Sequence, residues 1–129
     1  MKIIKHKSGC IIIDDTYNNN PQAALKALKT LESVSSGKKI GIVFGDMLEL
    51  GKNEAKFHKK IARKIQKLKP KFIVLVGNAT KGLIKESFWF EKNQTKEIVM
   101  TLKKLIKKDF VVLFKGSRSI GLDDIISKL

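Results

Sequence analysis

The segment Lys115-Gly116-Ser117-Arg118-Ser119 places a glycine and two hydroxyls between and beside two cations. Glycine lets a backbone approach a ligand closely, and successive amides leading into a helix N-terminus bind anions. Arg118 is able to grip a carboxylate or phosphate through two parallel hydrogen bonds. The competing reading is a capped loop with solvated basic side chains. The run Asp14-Asp15-Thr16-Tyr17-Asn18-Asn19-Asn20-Pro21 is equally polar, and ligand binding competes there with ordinary turn geometry. A third segment, Gly45-Asp46-Met47-Leu48-Glu49-Leu50-Gly51-Lys52-Asn53, resembles a phosphate-binding loop only superficially. Five residues rather than four separate its glycines, and Asn53 stands where a hydroxyl is needed to hold magnesium. Asp46 and Glu49 retain the capacity to accept hydrogen bonds from an amine or a ribose, or to cap the turn.

Other reactive side chains read as structural. His6 and His58 lack Cys or carboxylate neighbours at metal-ligand spacing, so each is expected as a surface or capping histidine, and no metal site is expected. Cys10, beside Ile11, Ile12 and Ile13, is expected in the core, and Trp89, between two phenylalanines, in packing. No order of Ser, His and Asp suggests a catalytic triad. The set Asp14-Asp15, Asp46, Thr80 and Lys115 holds the ingredients of a receiver-like phosphoacceptor domain: an acidic pair for magnesium, an aspartate to phosphorylate, and a hydroxyl and a lysine to read the phosphate. Its spacing argues against that alternative. Asp46 follows the acidic pair too soon, and Gly116 stands where receivers usually carry proline.

These clusters need elements to position them. Met1 to Lys5 and Cys10 to Ile13 flank a polar turn and predict an opening hairpin. Asn20 followed by Pro21 is a helix N-cap with proline at the first helical position, and Ala24, Leu25, Leu28, Leu31 and Val34 continue at helical spacing to Gly37. Strands are predicted at Lys39 to Phe44, Lys71 to Val76, Phe88 to Phe90 and Phe110 to Phe114. Helices are predicted at Asn53 to Leu68, Thr80 to Glu86, Thr95 to Lys107 and Leu122 to Leu129. Apolar strands alternating with helices imply an α/β fold, with a three-layer, Rossmann-like, mostly parallel sheet covered by helices on both faces. Ligands in such folds sit beyond the carboxyl ends of the strands, and all three clusters follow an apolar run.

The chain has 129 residues, which bounds it to one domain, 1–129. At this size a fold buries roughly two thirds of its unfolded surface and needs no disulfide or structural metal. The longest apolar runs fall far short of the ~20 residues that span a bilayer, and Lys2, Lys5 and Lys7 leave no room for a secretory signal. A cytoplasmic setting is therefore expected. Its 27 Lys and Arg against 12 Asp and Glu give a net charge of +15, which raises a basic nucleic-acid-binding module as a further alternative. Only Arg63 and Arg118 are arginine, however, whereas base-edge and bidentate phosphate recognition draw on the guanidinium fork. Lys59, Lys60, Lys64 and Lys67 alternate with Phe57, Ile61, Ile65 and Leu68, as a solvated helix face does.

The three strings, with His58 following the second, stand in the order found in the MurF branch of the Mur ligase family, and the chain resembles the C-terminal domain of those enzymes over essentially its whole length. Asn19 departs from the family, which usually has alanine between the two asparagines. The resemblance implies an ATP-dependent ligase of peptidoglycan synthesis that joins D-Ala-D-Ala to UDP-MurNAc-tripeptide through an acyl phosphate. It further implies N-terminal UDP-substrate and central ATPase domains that this sequence lacks, with the phosphate loop and Mg2+ ligands in the central one. The domain alone is expected to be inactive, to carry no catalytic residue, and to be a monomer. By motif position, Asp14, Asp15, Tyr17, Asn18 and Asn20 would bind ATP on domain closure, and Asp46, Lys115, Gly116, Ser117 and Arg118 would bind substrate. Which of Asp14 and Asp15 meets the ribose stays open, because alternation along a strand points them to opposite sides.

Overall fold

A computed structural model describes residues 1–129. Strands β1 (Lys2–Lys5), β2 (Ile11–Asp15), β3 (Lys39–Gly45), β4 (Phe72–Val76), β5 (Phe88–Phe90) and β6 (Phe110–Lys115) alternate with helices α1 (Pro21–Val34), α2 (Glu54–Lys67), α3 (Thr95–Leu105) and α4 (Leu122–Ser127). One six-stranded sheet has the order β1-β2-β6-β3-β4-β5. The β1–β2 pair is antiparallel, as the opening hairpin requires, and every other neighbour is parallel.

Side-chain alternation along the strands feeds two separate cores. Ile13, Ile42, Phe44, Ile73, Leu75, Val111 and Leu113 face Ala24, Leu28 and Leu31 of α1 and Ile61 and Ile65 of α2. Ile12, Val43, Val74, Val76, Val112 and Phe114 face Ile98 and Leu102 of α3 and Leu122 and Ile125 of α4. Cys10 belongs to the second core, as its neighbours predict. All six residues of β6 are buried, so this strand carries both cores at once. Each such Val, Leu or Phe contributes about 1.5–3 kcal/mol on leaving water.

Helix boundaries follow local chemistry. Asn20 caps α1, its side chain accepting from the Ala23 amide at 2.8 Å, and Pro21 occupies the first turn. Helix α2 carries Glu54 in its first turn and Lys64 and Lys67 in its last, each complementing the helix dipole. The predicted helix at Thr80 to Glu86 does not form. A 3-10 turn at Asn78–Thr80 runs into bends in which Gly82 takes a φ of 70°. Ile84 alone of that stretch after Thr80 is buried, so no continuous apolar face exists to hold a helix down.

Candidate functional site

The clusters after β2, β3 and β6 converge on one rim, because these strands are parallel neighbours that end together. Lys115, the last residue of β6, is only 1% exposed. Its Nζ lies 3.3 Å from Asp15 Oδ2 and donates to the backbone carbonyls of Asp15 and Asn18. Burial pushes the Lys115 ammonium down from its ordinary pKa, and the charge and hydrogen bond of Asp15 oppose that shift. Its charge is spent inside the domain, on the loop between β2 and α1.

The two loops are joined at further points. The Gly116 amide donates to the Asp15 carbonyl at 3.4 Å, and the Arg118 amide to the Tyr17 carbonyl at 2.9 Å. The Arg118 guanidinium stands 5.6 Å from the centre of the Tyr17 ring, a cation–π contact. Tyr17 is 65% exposed, and Asn18 and Arg118 are exposed beside it. Tyr17 and Asn18 of one loop and Arg118 of the other thus share one exposed surface, whereas Lys115, Gly116 and Asp46, also expected to bind substrate, are buried beneath it. Asp14 and Asp15 do separate in environment: Asp14 accepts from the Thr16 hydroxyl at 2.7 Å, whereas Asp15 pairs with Lys115. Asn20 spends its side-chain acceptor on capping α1.

The end of β3 is clamped from both loops. Asn19 is buried, and its Nδ2 donates to the carbonyl of Gly45 at 2.8 Å and more distantly to that of Asp46, while its Oδ1 has no partner. Ser117 Oγ donates to the Asp46 carbonyl at 3.4 Å. The Asp46 carboxylate is itself 5% exposed and accepts from the Thr80 amide at 3.1 Å. It lies so close to Gly77, which has a φ of 112°, that a Cβ there would come within 2.5 Å of the carboxylate. Burial raises the Asp46 pKa, partly offset by amide donors from Ala79 and Thr80.

His58 corrects its expectation as a surface or capping residue. It is 1% exposed, because α2 packs the ring beneath the loop after β3. Nε2 accepts from the Met47 amide at 3.0 Å, which puts the ring proton on Nδ1, where it donates to the Glu54 carbonyl at 2.7 Å. With Met47 fully buried beside it, His58 pins the loop that carries Asp46. Trp89 is half-buried as a packing residue, and its Nε1 also donates to the Gly77 carbonyl at 2.8 Å.

Beside this rim, between the ends of β3, β4 and β5, lies a cavity of about 400 Å³. Asp46 and Ser119 line it together with Asn78, Glu91, Lys92 and Asn93. Sequence reasoning passed over Glu91 to Asn93, although they follow the Phe88–Phe90 strand just as the other clusters follow theirs. The receiver alternative is not favoured. Asp46 is buried against a backbone amide rather than presented for phosphorylation, and no strand order of the receiver kind places Asp14 and Asp15 beside it.

Comparison with known proteins agrees with this arrangement. The sequence profile of the family described as Mur ligase, glutamate ligase domain, matches residues 1–118. A UDP-N-acetylmuramoyl-tripeptide--D-alanyl-D-alanine ligase of Buchnera aphidicola subsp. Baizongia pistaciae is 36% identical over 134 aligned residues, covering 100% of this chain and 28% of the relative. The MurF ligase of Thermotoga maritima, solved in complex with ADP, superposes with a TM-score of 0.84 at 25% identity, over 98% of this chain and 29% of that one. The UDP-N-acetylmuramoylalanyl-D-glutamyl-2,6-diaminopimelate--D-alanyl-D-alanyl ligase of Acinetobacter baumannii gives a TM-score of 0.81 at 27% identity, over 99% and 28%. The chain spans less than a third of the length of the curated relatives it matches.

Proposed function

The chain belongs to the Mur ligase family, carrying its glutamate ligase domain, and on that premise we propose that it acts as the C-terminal domain of an ATP-dependent ligase that adds D-Ala-D-Ala to UDP-MurNAc-tripeptide in peptidoglycan synthesis. The observation that supports this reading best is the union of two loops into one exposed rim by Lys115, Gly116 and Arg118. A ligase that joins an activated carboxylate to an amine must bring nucleotide and peptide side by side, and a single surface made from both loops suits that need.

The residues fit a nucleotide on one half of the rim. Asp14 and Asp15 offer carboxylate oxygens to ribose hydroxyls, exposed Tyr17 offers an aromatic face, and Asn18 offers a free carboxamide. Asn20 contributes chiefly by fixing the first turn of α1. ATP, when bound, would supply the phosphoryl group that activates the peptide carboxylate, with Mg2+ held by residues of a central domain outside this sequence.

On the other half, Arg118 grips a substrate carboxylate, with the Gly116 and Ser117 backbone beside it. Lys115 acts indirectly, by holding the loop between β2 and α1 in place, and Asp46 shapes the floor. No helix of the chain is long and apolar enough to cross a membrane, and we place the enzyme in the cytoplasm, where its nucleotide substrates are made. It works as a monomer, this domain closing on its own N-terminal and central domains to exclude water from the activated carboxylate.

An amide chemical-shift titration of the labelled chain with Mg-ATP and, separately, D-Ala-D-Ala tests the proposal. Nucleotide is expected to move Asp14 to Asn20, and dipeptide to move Lys115 to Ser119. Silence of both segments toward both ligands would overturn it.

A further inference from the structure

We infer that a cavity at the far pole of the sheet from the rim, beside the turn that joins β1 to β2, is a binding site for a small monoanion with an apolar tail, a carboxylate on a chain of several carbons. The inference goes beyond the ligase reading and does not depend on it. β2 begins at this pole and ends at the rim, so the two sites lie at opposite ends of the same strand. The cavity has a volume of about 290 Å³, at the lower end of small-ligand sites and suited to a short aliphatic chain.

The lining selects the ligand class. Cys10, Ile12, Leu102 and Ile106 supply apolar walls, the first three of them buried. The polar border is cationic. Lys7 and Lys103 stand on it, both exposed and in none of the three ion pairs of the chain, and no Asp or Glu lines the cavity. Helix α3 ends here, and the partial negative charge of its C-terminus, about half a charge, is outweighed by Lys103 and Lys104 in its last turn. His6 adds a directed donor. Its Nδ1 accepts from the Ser8 amide at 3.1 Å and lies 2.7 Å from the Ser8 hydroxyl, so the ring proton sits on Nε2, which has no partner within the chain. A cationic amphiphile would meet two ammonium groups, and inorganic phosphate would leave the apolar walls uncovered. An anion with a tail satisfies both parts.

The walls are held in place before any ligand arrives. The His6 amide donates to the Cys10 carbonyl at 2.9 Å, and the Gly9 amide to the His6 carbonyl at 2.9 Å, which closes the turn. Gly9 takes a φ of 92°, and a Cβ there would come within 2.9 Å of Lys108 Cβ, so the turn rests on the segment that follows α3. A preformed cavity of this kind binds with little ordering cost.

The chain, labelled at amides and methyls, is titrated with butanoate, hexanoate and octanoate, with octylammonium and octanol, and with phosphatidylglycerol vesicles. Octanoate, kept below its micelle concentration, is expected to shift the methyls of Ile12, Leu102 and Ile106 and the amides of Ser8 and Cys10, while Tyr17 and Arg118 at the rim stay unmoved. Affinity should rise about fourfold for each CH2 that enters the cavity, and octylammonium and octanol should bind at least about tenfold more weakly than octanoate. Lys7→Glu combined with Lys103→Glu should cost octanoate about tenfold or more. Both positions are exposed, so the variant keeps the fold, which its spectrum verifies, and the comparison of octanoate with octylammonium on the natural chain decides independently of it. Octylammonium binding as well as octanoate, or affinity that ignores chain length, would overturn the inference. So would octanoate shifts spread equally over Lys59, Lys60, Lys64 and Lys67, which mark ion pairing with the surface, or a response to vesicles with the free acids silent.

Discussion

Asp46 is the residue where burial and chemistry meet. Burial raises its pKa above the ordinary carboxylate value, so the folded chain holds the Asp46 proton more tightly than the unfolded chain does. Stability from this group is therefore greatest at low pH and falls as pH rises from the unfolded pKa through the folded one. Asp46→Asn removes that titration. Relative to the natural chain, the variant should gain stability as pH climbs through that window and lose its advantage below it, read from urea midpoints across a pH series. Neither the depth of Asp46 nor the burial of His58 was legible in the sequence. Both occur in a polar, glycine-flanked string that reads as an exposed loop, and only the packing of α2 beneath it turns His58 inward to take the Met47 amide. Lys115 was similarly opaque. A lysine beside a glycine and an arginine reads as a free cation, and its internal use depends on Asp15 and Asn18, about a hundred residues away in sequence.

At the scale of elements, the order of strands and helices was legible almost throughout, because strands buried on both faces and helices with one apolar stripe write different periods into the chain. The failure at Thr80 to Glu86 has a local cause, the left-handed Gly82 and the lack of a repeated apolar face. The candidate site was legible as strand-end loops but not as a joined surface, since pairing β6 with both β2 and β3 is a long-range event. The turn after β4 shows how tightly elements are coupled there. Gly77 takes a φ of 112° and leaves no room for a Cβ against the Asp46 carboxylate. Gly77→Ala should therefore destabilise the fold by about 2 kcal/mol or more, combining backbone strain with a clash. Adding Asp46→Ala should recover the clash component and leave the strain, so a double-mutant cycle by chemical denaturation should show the two changes to be non-additive.

For the molecule as a whole, a charge of +15 on 129 residues means self-repulsion. Raising salt from low concentration to physiological ionic strength should raise the unfolding midpoint, because screening relieves like charges more than it weakens three ion pairs, two of them exposed. Neutralising Lys59, Lys60, Lys64 and Lys67 to Gln should reduce that salt dependence yet leave dipeptide and nucleotide affinity unchanged, since all four are exposed on α2 and none belongs to the rim. A titration showing lost affinity would reveal a steering role for this face. The placement of β6 governs something else, the order in which the protein comes into being. β2 and β3 do not bond to each other, and each bonds to β6, whose residues 110–115 are translated after every other strand. A nascent chain holding residues up to 109 has a hairpin and a three-stranded fragment with open edges between them. The loops that form the rim meet only when β6 slides into that seam, so ligand competence should arrive in one step with completion of the fold, and chains interrupted short of it should be sticky and unable to bind.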